Sequence, residues 1–178
     1  MRKPRRIKEG ATYHVIARTN RGETTLGSHA VKVMFLQVVA SAKKRYAFEI
    51  FTMCLLDTHV HLMVRPQQEE SLSRIMQWML SVFAIRFNRK FDCFGHFWYD
   101  RFKSKVIESF RQFVATFNYV VHNPVKHGLV DRIEDYPYST PRLARDGPPG
   151  LLAPLLAEVQ ATTERINDIL LSHARSRA

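Results

Sequence analysis

The hydrophobic period of this chain alternates between two and about 3.6 residues in a fixed order, and that order restricts the fold more than any single residue does. Residues 12–19, TYHVIART, alternate and are rich in β-branched and aromatic types, which predicts a strand. Ser28 then offers an N-cap to the helical run HAVKVMFLQVVASAKKRY, whose end carries Lys43, Lys44 and Arg45, where cations suit the helix dipole. FEIFTMCLL (48–56) and HVHLMVRP (59–66), joined by the short turn Asp57-Thr58, predict a hairpin that stops at Pro66. SLSRIMQWMLSVFAIRFNRKF places Leu72, Ile75, Met76, Met79, Phe83 and Phe87 at helical spacing, with Arg86, Arg89 and Lys90 in its last turns. A fourth strand is expected over 103–108, then a third helix capped by Ser109 and ended by Pro124. The order β-α-β-β-α-β is the split-βαβ, ferredoxin-like pattern, an α+β fold. Two helices should cover one face of an antiparallel sheet, leaving the other face for a ligand or a further helix. DYPYSTPRLARDGPPG reads as a turn-rich linker and 151–178 as a final helix. The expected organisation is one domain over 1–146, including a basic N-terminal arm, and a C-terminal linker and helix over 147–178.

Charge points to the class of partner. Of 178 residues, 27 are Lys or Arg and 16 are Asp or Glu, a formal net charge of +11. A domain that basic is built to meet a polyanion. No apolar run reaches membrane-spanning length and the basic start is not followed by a signal-peptide core, so the expected partner is nucleic acid and the expected compartment the cytoplasm, at the nucleoid. Arg2, Lys3, Arg5 and Arg6 form a basic arm; Arg18 and Lys103 are further candidates for phosphate contact. Cys54 and Cys93 form no C-x-x-C pair and read as small buried hydrophobes.

Within HVHLMV, alternation sends Val60, Leu62 and Val64 to one face and His59, His61 and Met63 to the other. Two imidazoles on one face can chelate a divalent ion, but the spacing alone also suits structural histidines on a strand. The third helix adds a second signal. Its apolar stripe is Phe110, Phe113, Val114, Phe117 and Val121, and at about 100° per residue Tyr119 lies roughly 160–200° from Phe117. Tyr119 therefore faces away from the stripe, with Asn123 one turn further on nearly the same face. A tyrosine beside a metal is a phosphodiester nucleophile, because a divalent ion offsets the charge that otherwise repels attack.

Three segments resemble a known family. HVHLMV resembles the HUH motif (His, hydrophobic, His). NYVVHNPVKHGLV followed by DYPYST resembles the signature of REP-associated tyrosine transposases, and FWYDRFKSKVI is similar to a further segment of theirs. The motifs stand in the same order over residues 13–140. The resemblance implies an HUH endonuclease fold with additional C-terminal helices, Mg²⁺ or Mn²⁺ held by His59 and His61, and Tyr119 as nucleophile. It implies Asn123 as the third ligand, with His122 the alternative. The implied substrate is single-stranded DNA at a tetranucleotide beside a REP-type hairpin, cut to a 5′-phosphotyrosine and a free 3′-OH by a monomer or a homodimer. Trp98 and Arg101, with the basic arm, would join the DNA contacts.

The chain departs from the family in three places. Asp57-Thr58 replaces the usual Pro-Asn before the first histidine, KHG replaces Arg-Ala-Gly, and WYDR replaces Trp-Gln-Arg-Arg. His14, His29, His96, His127 and His173 have no partner pattern and are expected to be structural or exposed. Tyr99 is expected in an aromatic cluster with Phe97 and Trp98. Two other readings compete: a non-catalytic nucleic-acid-binding module on the same layout, and a replication initiator or relaxase with the same chemistry. The first lacks the aromatic RNA-binding signature; the second predicts a larger chain.

Overall fold

The computed structural model describes residues 8, 10–154 and 159–165. The basic arm with Arg2, Lys3, Arg5 and Arg6, and the part of the expected C-terminal helix beyond residue 165, lie outside the described residues.

Four strands form one sheet: β1 (Thr12–Arg18), β2 (Phe48–Leu55), β3 (His59–Pro66) and β4 (Lys103–Ile107). Their spatial order is β2-β3-β1-β4 and every pairing is antiparallel, the ferredoxin-like arrangement. α1 (His29–Arg45) begins at Ser28, whose hydroxyl accepts a hydrogen bond from Val31 N–H, and α2 (Leu72–Phe91) follows β3. Both helices pack on one face. Phe35, Val38, Val39, Ile75, Met76 and Phe83 meet Tyr13, Val15, Val60, Leu62 and Val64 there, all buried. Register puts Tyr13 opposite Val64 and Val15 opposite Leu62, so the apolar alternations of β1 and β3 reach the same side.

The other face is taken partly by α3 (Phe110–Val121), whose Phe117 and Val121 bury Met63 of β3 and Phe51 of β2. The expected core stripe of α3 is overrun at its start. Phe110 is 50% exposed, while Asn118 and Val120 are buried in the last turn. α3 stops before Pro124: His122 is its cap, and a separate turn, α4 (Asn123–Lys126), carries Pro124 in its first turn, where the missing N–H costs nothing.

The expected linker is a docked element. β2 is an edge strand, and its outward N–H and C=O groups need partners. Tyr136 Oη donates to Leu55 O at 2.6 Å, Leu55 N–H donates to Tyr138 O at 3.0 Å, and Thr140 Oγ1 accepts from Met53 N–H at 2.8 Å and lies 2.8 Å from Thr52 Oγ1. Thr140 opens a short helix, α5 (Thr140–Asp146). Beyond it, Leu151 is buried in the main core, Ala153 N–H donates to Ile50 O at 2.8 Å, and Val159 packs in the cluster with Phe51 and Phe117. Cys54 is buried as expected; Cys93 is exposed, in the loop that follows the left-handed cap Asp92. Among the described residues no helix is long and apolar enough to cross a membrane.

Candidate active site

The site forms where β1 and β3 lie side by side. Antiparallel register pairs Ile16 with His61 and Arg18 with His59, and His14 with Met63 and Lys105. Partners in register share a face, so His14, Arg18, His59, His61, Lys103 and Lys105 all project to the side opposite α1 and α2. Alternation within β3 predicts the histidine pair. The structure adds the neighbours.

Each histidine of the pair is held by its Nδ1. Thr58 Oγ1 lies 2.9 Å from His59 Nδ1, and His14 Nε2 lies 3.0 Å from His61 Nδ1 with the two rings stacked. A ring whose Nδ1 is hydrogen-bonded presents Nε2 as the free donor to a metal, and such an outer partner fixes both tautomer and orientation. His61 Nε2 is buried and has no hydrogen-bond partner. The ring centres of His59 and His61 are 4.9 Å apart. Burial first, then His127 and Arg18, pulls the pKa of His59 down to about 4; burial first, then the surrounding histidines and Arg18, pulls that of His61 down to about 3. Both rings are neutral at pH 7, the form that ligates.

The turn before His59 is pinned from several sides. Asp57 Oδ1 accepts from Lys32 Nζ at 2.5 Å, Lys32 Nζ also donates to Gly27 O at 3.0 Å, and Lys32 is almost wholly buried. Leu26 N–H donates to Asp57 O and Thr19 N–H to Thr58 O. Asp57 and Thr58, where the sequence leaves its family's pattern, thus have definite work: Asp57 anchors the turn to α1, and Thr58 sets the first imidazole.

α3 delivers the tyrosine. Tyr119 is 45% exposed, with its ring edge-on to His61 at 5.6 Å and to His14 at 5.9 Å between centres. Lys126 Nζ sits over the Tyr119 ring, 5.4 Å from its centre, a cation–π contact at the edge of the site. A cleft of about 360 Å³ between β4 and α3 runs up to Tyr119 along His14, Lys105, Ile107, Gln112 and Thr116.

Asn123 is fully buried, and its Nδ2 donates to Tyr119 O at 2.7 Å, which leaves Oδ1 buried and without a partner. A buried, unpaired amide oxygen costs stability unless it is kept for a ligand, and a hard divalent cation is one that it suits. His122 Nε2 is unpartnered too, but its Nδ1 is spent on Asn118 O of its own helix at 2.8 Å. Among the described residues no three His, Cys, Asp or Glu side chains converge as a ready-made ion site. The buried, unpartnered polar atoms that the candidate ligands offer are His61 Nε2, His122 Nε2 and Asn123 Oδ1.

Two histidines expected to stand alone do not. His14 braces His61, and the His127 ring centre lies 5.6 Å from that of His59. The signal for His14 was its alternation with Ile16 on a strand; the signal for His127 was its place four residues after Asn123. Neither spacing names its partner without the register. Among the expected DNA contacts, Arg18 and Lys103 are exposed on the site face, and Arg101 is exposed on the loop before β4. Trp98 is a wall of the fold: its indole N–H donates to Leu80 O at 2.9 Å and its ring packs on Phe35, Phe83 and Phe97. Its neighbour Tyr99 leaves that cluster and is 71% exposed.

Comparison with known proteins shows the family. The chain is 25% identical over 135 residues to the REP-associated tyrosine transposase of Escherichia coli strain K12, covering 75% of this chain and 78% of that protein. It is 25% identical over 107 residues to a Haemophilus influenzae protein named as a REP-associated tyrosine transposase, and spans 61% of that relative's length. A solved structure of a REP-associated tyrosine transposase bound to a REP hairpin superposes with a TM-score of 0.69 at 24% identity, over 87% of this chain and 93% of that one, a likeness of fold. A family model described as "Transposase IS200 like" matches residues 8–123, from the end of the arm through Tyr119 to Asn123. The chain belongs to the IS200-like transposase family.

Proposed function

We propose that this protein is a metal-dependent, single-stranded DNA endonuclease and strand transferase acting at REP-type hairpins and an adjoining tetranucleotide in the cytoplasm. The observation that carries the reading is the meeting of Tyr119 with a pair of imidazoles whose Nδ1 atoms are both engaged. His59 Nε2, His61 Nε2 and Asn123 Oδ1 would hold Mg²⁺ or Mn²⁺, which when bound polarises the scissile phosphate and neutralises its charge.

The chain's own residues do the rest. Tyr119 Oη loses its proton to solvent and attacks phosphorus; the new Oη–P bond forms as the P–O3′ bond breaks, and the 3′ oxygen takes a proton from water. The 5′ phosphate stays on Tyr119 and the 3′-OH is free. A 3′-OH from another strand then reverses the step, so the bond energy held in the phosphotyrosine serves rejoining. Arg18, Lys103 and Lys105 line the face on which the strand would lie and supply phosphate contacts. Asn123, bonded to the Tyr119 carbonyl, ties nucleophile and ligand into one unit, which favours it over His122.

The test is incubation of the protein with a labelled hairpin oligonucleotide carrying a single-stranded flank, with Mn²⁺, and denaturing electrophoresis. A covalent adduct that survives detergent is expected from wild type and not from Tyr119→Phe, which should still bind the DNA. Cleavage by Tyr119→Phe would remove Tyr119 from its role.

A further inference from the structure

The loop between α2 and β4 carries the departure WYDR, and it is bonded to the strand beside the site. Asn20 N–H donates to Phe97 O at 2.8 Å, Thr19 pairs with Trp98 in an antiparallel bridge, and Tyr99 N–H donates to Arg18 O at 3.0 Å. Arg18 is in register with His59. Neighbouring strands lie about 4.8 Å apart, so the Tyr99 backbone stands about 10 Å from that of His59. A DNA strand lying over His59 and Arg18 reaches this loop within a few nucleotides.

Between the loop and α2 lies a cleft of about 670 Å³. Gln77 and Ser81 line it from α2, four residues apart and so on one face of the helix; Trp98, Tyr99, Asp100 and Arg101 line it from the loop. Trp98 is fixed, because its indole N–H donates to Leu80 O at 2.9 Å and its ring packs on Phe83 and Phe97. Tyr99 is 71% exposed and Arg101 is exposed beside it. An exposed aromatic ring next to a guanidinium, in a chain of net charge +11, suits single-stranded nucleic acid: the ring takes the face of a base and the cation a phosphate. A base inside a duplex is stacked on its neighbours and has no free face to offer. The Asp100 carboxylate accepts from a base amino group and repels a phosphate, so the base, not the backbone, enters the cleft.

We propose that this cleft takes one unpaired base of the single-stranded flank, stacked on Tyr99, with Gln77, Ser81 and Asp100 at the base edge and Arg101 on the adjoining phosphate. Tyr99 and Asp100 are the two residues at which WYDR departs from its family's pattern, so the cleft is a specificity element of this chain's own. The inference rests on the single-stranded DNA reading above and adds a base-binding cleft to it.

The test uses the full-length protein in EDTA and hairpin oligonucleotides whose single-stranded flank carries 2-aminopurine at one position at a time. The fluorescence of 2-aminopurine responds to stacking. At one flank position wild type and Tyr99→Phe should change it alike, and Tyr99→Ala should not. Tyr99→Ala should also bind the flanked hairpin about 5–100-fold more weakly, with the loss confined to hairpins that carry the flank. A fluorescence change that survives Tyr99→Ala, no responsive position, or an equal loss on a hairpin without a flank overturns the proposal. Adduct formation with Mn²⁺ separates the two readings. If wild type forms the adduct while Tyr99→Ala binds the flanked hairpin as wild type does, only the cleft fails. If wild type forms no adduct and binds neither hairpin, the reading beneath it fails as well.

Discussion

Burying neutral imidazoles at the site has a cost that acid should expose. His61 is 2% exposed, and burial together with its charged neighbours holds its pKa near 3. In the unfolded chain the same side chain titrates near 6.5. Below that pH the unfolded state takes up a proton that the folded state refuses, so the contribution of His61 to stability is whole above pH 6.5 and is lost as pH falls from 6.5 toward 3. At pH 5 the folded form is still neutral, and the loss is set by the unfolded pKa alone. At about 1.4 kcal/mol per pH unit, the interval from 6.5 to 5 amounts to about 2 kcal/mol. The perturbation is His61→Gln, which removes the titration and keeps a polar side chain. Urea unfolding of each protein at pH 7 and pH 5, in EDTA, compares each with itself, so any general loss of stability in the variant cancels. With a slope of about 2 kcal/mol per molar urea, the wild-type midpoint should fall by about 1 M more than that of the variant. His14, whose pKa is lowered by burial and by Lys105, is present in both proteins. Equal acid sensitivity in the two proteins would mean that His61 is not held neutral by the fold.

The other predictions concern the supports of the site. Thr58→Val removes the hydroxyl at His59 Nδ1 and should weaken divalent-ion binding by about 10–100-fold while leaving the fold intact; Thr58→Ser should restore it, and an unchanged titration curve would deny Thr58 that role. Thr140→Val keeps the shape of the β2 edge cap but leaves Met53 N–H and the Thr52 hydroxyl unpaired in the interior, at about 2–4 kcal/mol by urea unfolding; a loss under 0.5 kcal/mol would mean that water replaces the hydroxyl. Asp57→Ala strands the buried Lys32 ammonium, and thermal unfolding should show a loss of about 2–3 kcal/mol, which Lys32→Met in the same chain partly restores.

Much of the architecture was legible because it is written in local periods. Ser28 and Ser109 cap their helices as their positions suggest, and the strand boundaries at Phe48 and His59 fall where alternation begins. The expected linker failed for a physical reason that local sequence does not carry. Turn-forming residues such as those around Tyr136 and Pro137 look alike whether a segment is free or satisfies a strand edge, and only the outward-facing groups of Met53 and Leu55 distinguish the two. Phe110 misled in the opposite sense: its spacing places it on the stripe, but nothing packs over it in the first turn deeply enough to bury it, and it stays 50% exposed. Trp98, offered as a DNA contact, donates to Leu80 O and packs on three aromatic neighbours that a linear motif does not bring together.

The sequence by itself determined the order of elements, the common face of His59 and His61, and the turning of Tyr119 away from its helix's apolar stripe. Each of these follows from how side chains recur along a single strand or helix. Only the tertiary structure decided that α3 crosses the histidine face of the sheet, that His14 braces His61 from the neighbouring strand, and that His127 returns to His59 from 68 residues away. Periodicity fixes which way a residue faces within its own element; strand register and the packing of one element on another fix what it faces, and in this protein they bring His14, His127 and Tyr119 to the histidine pair.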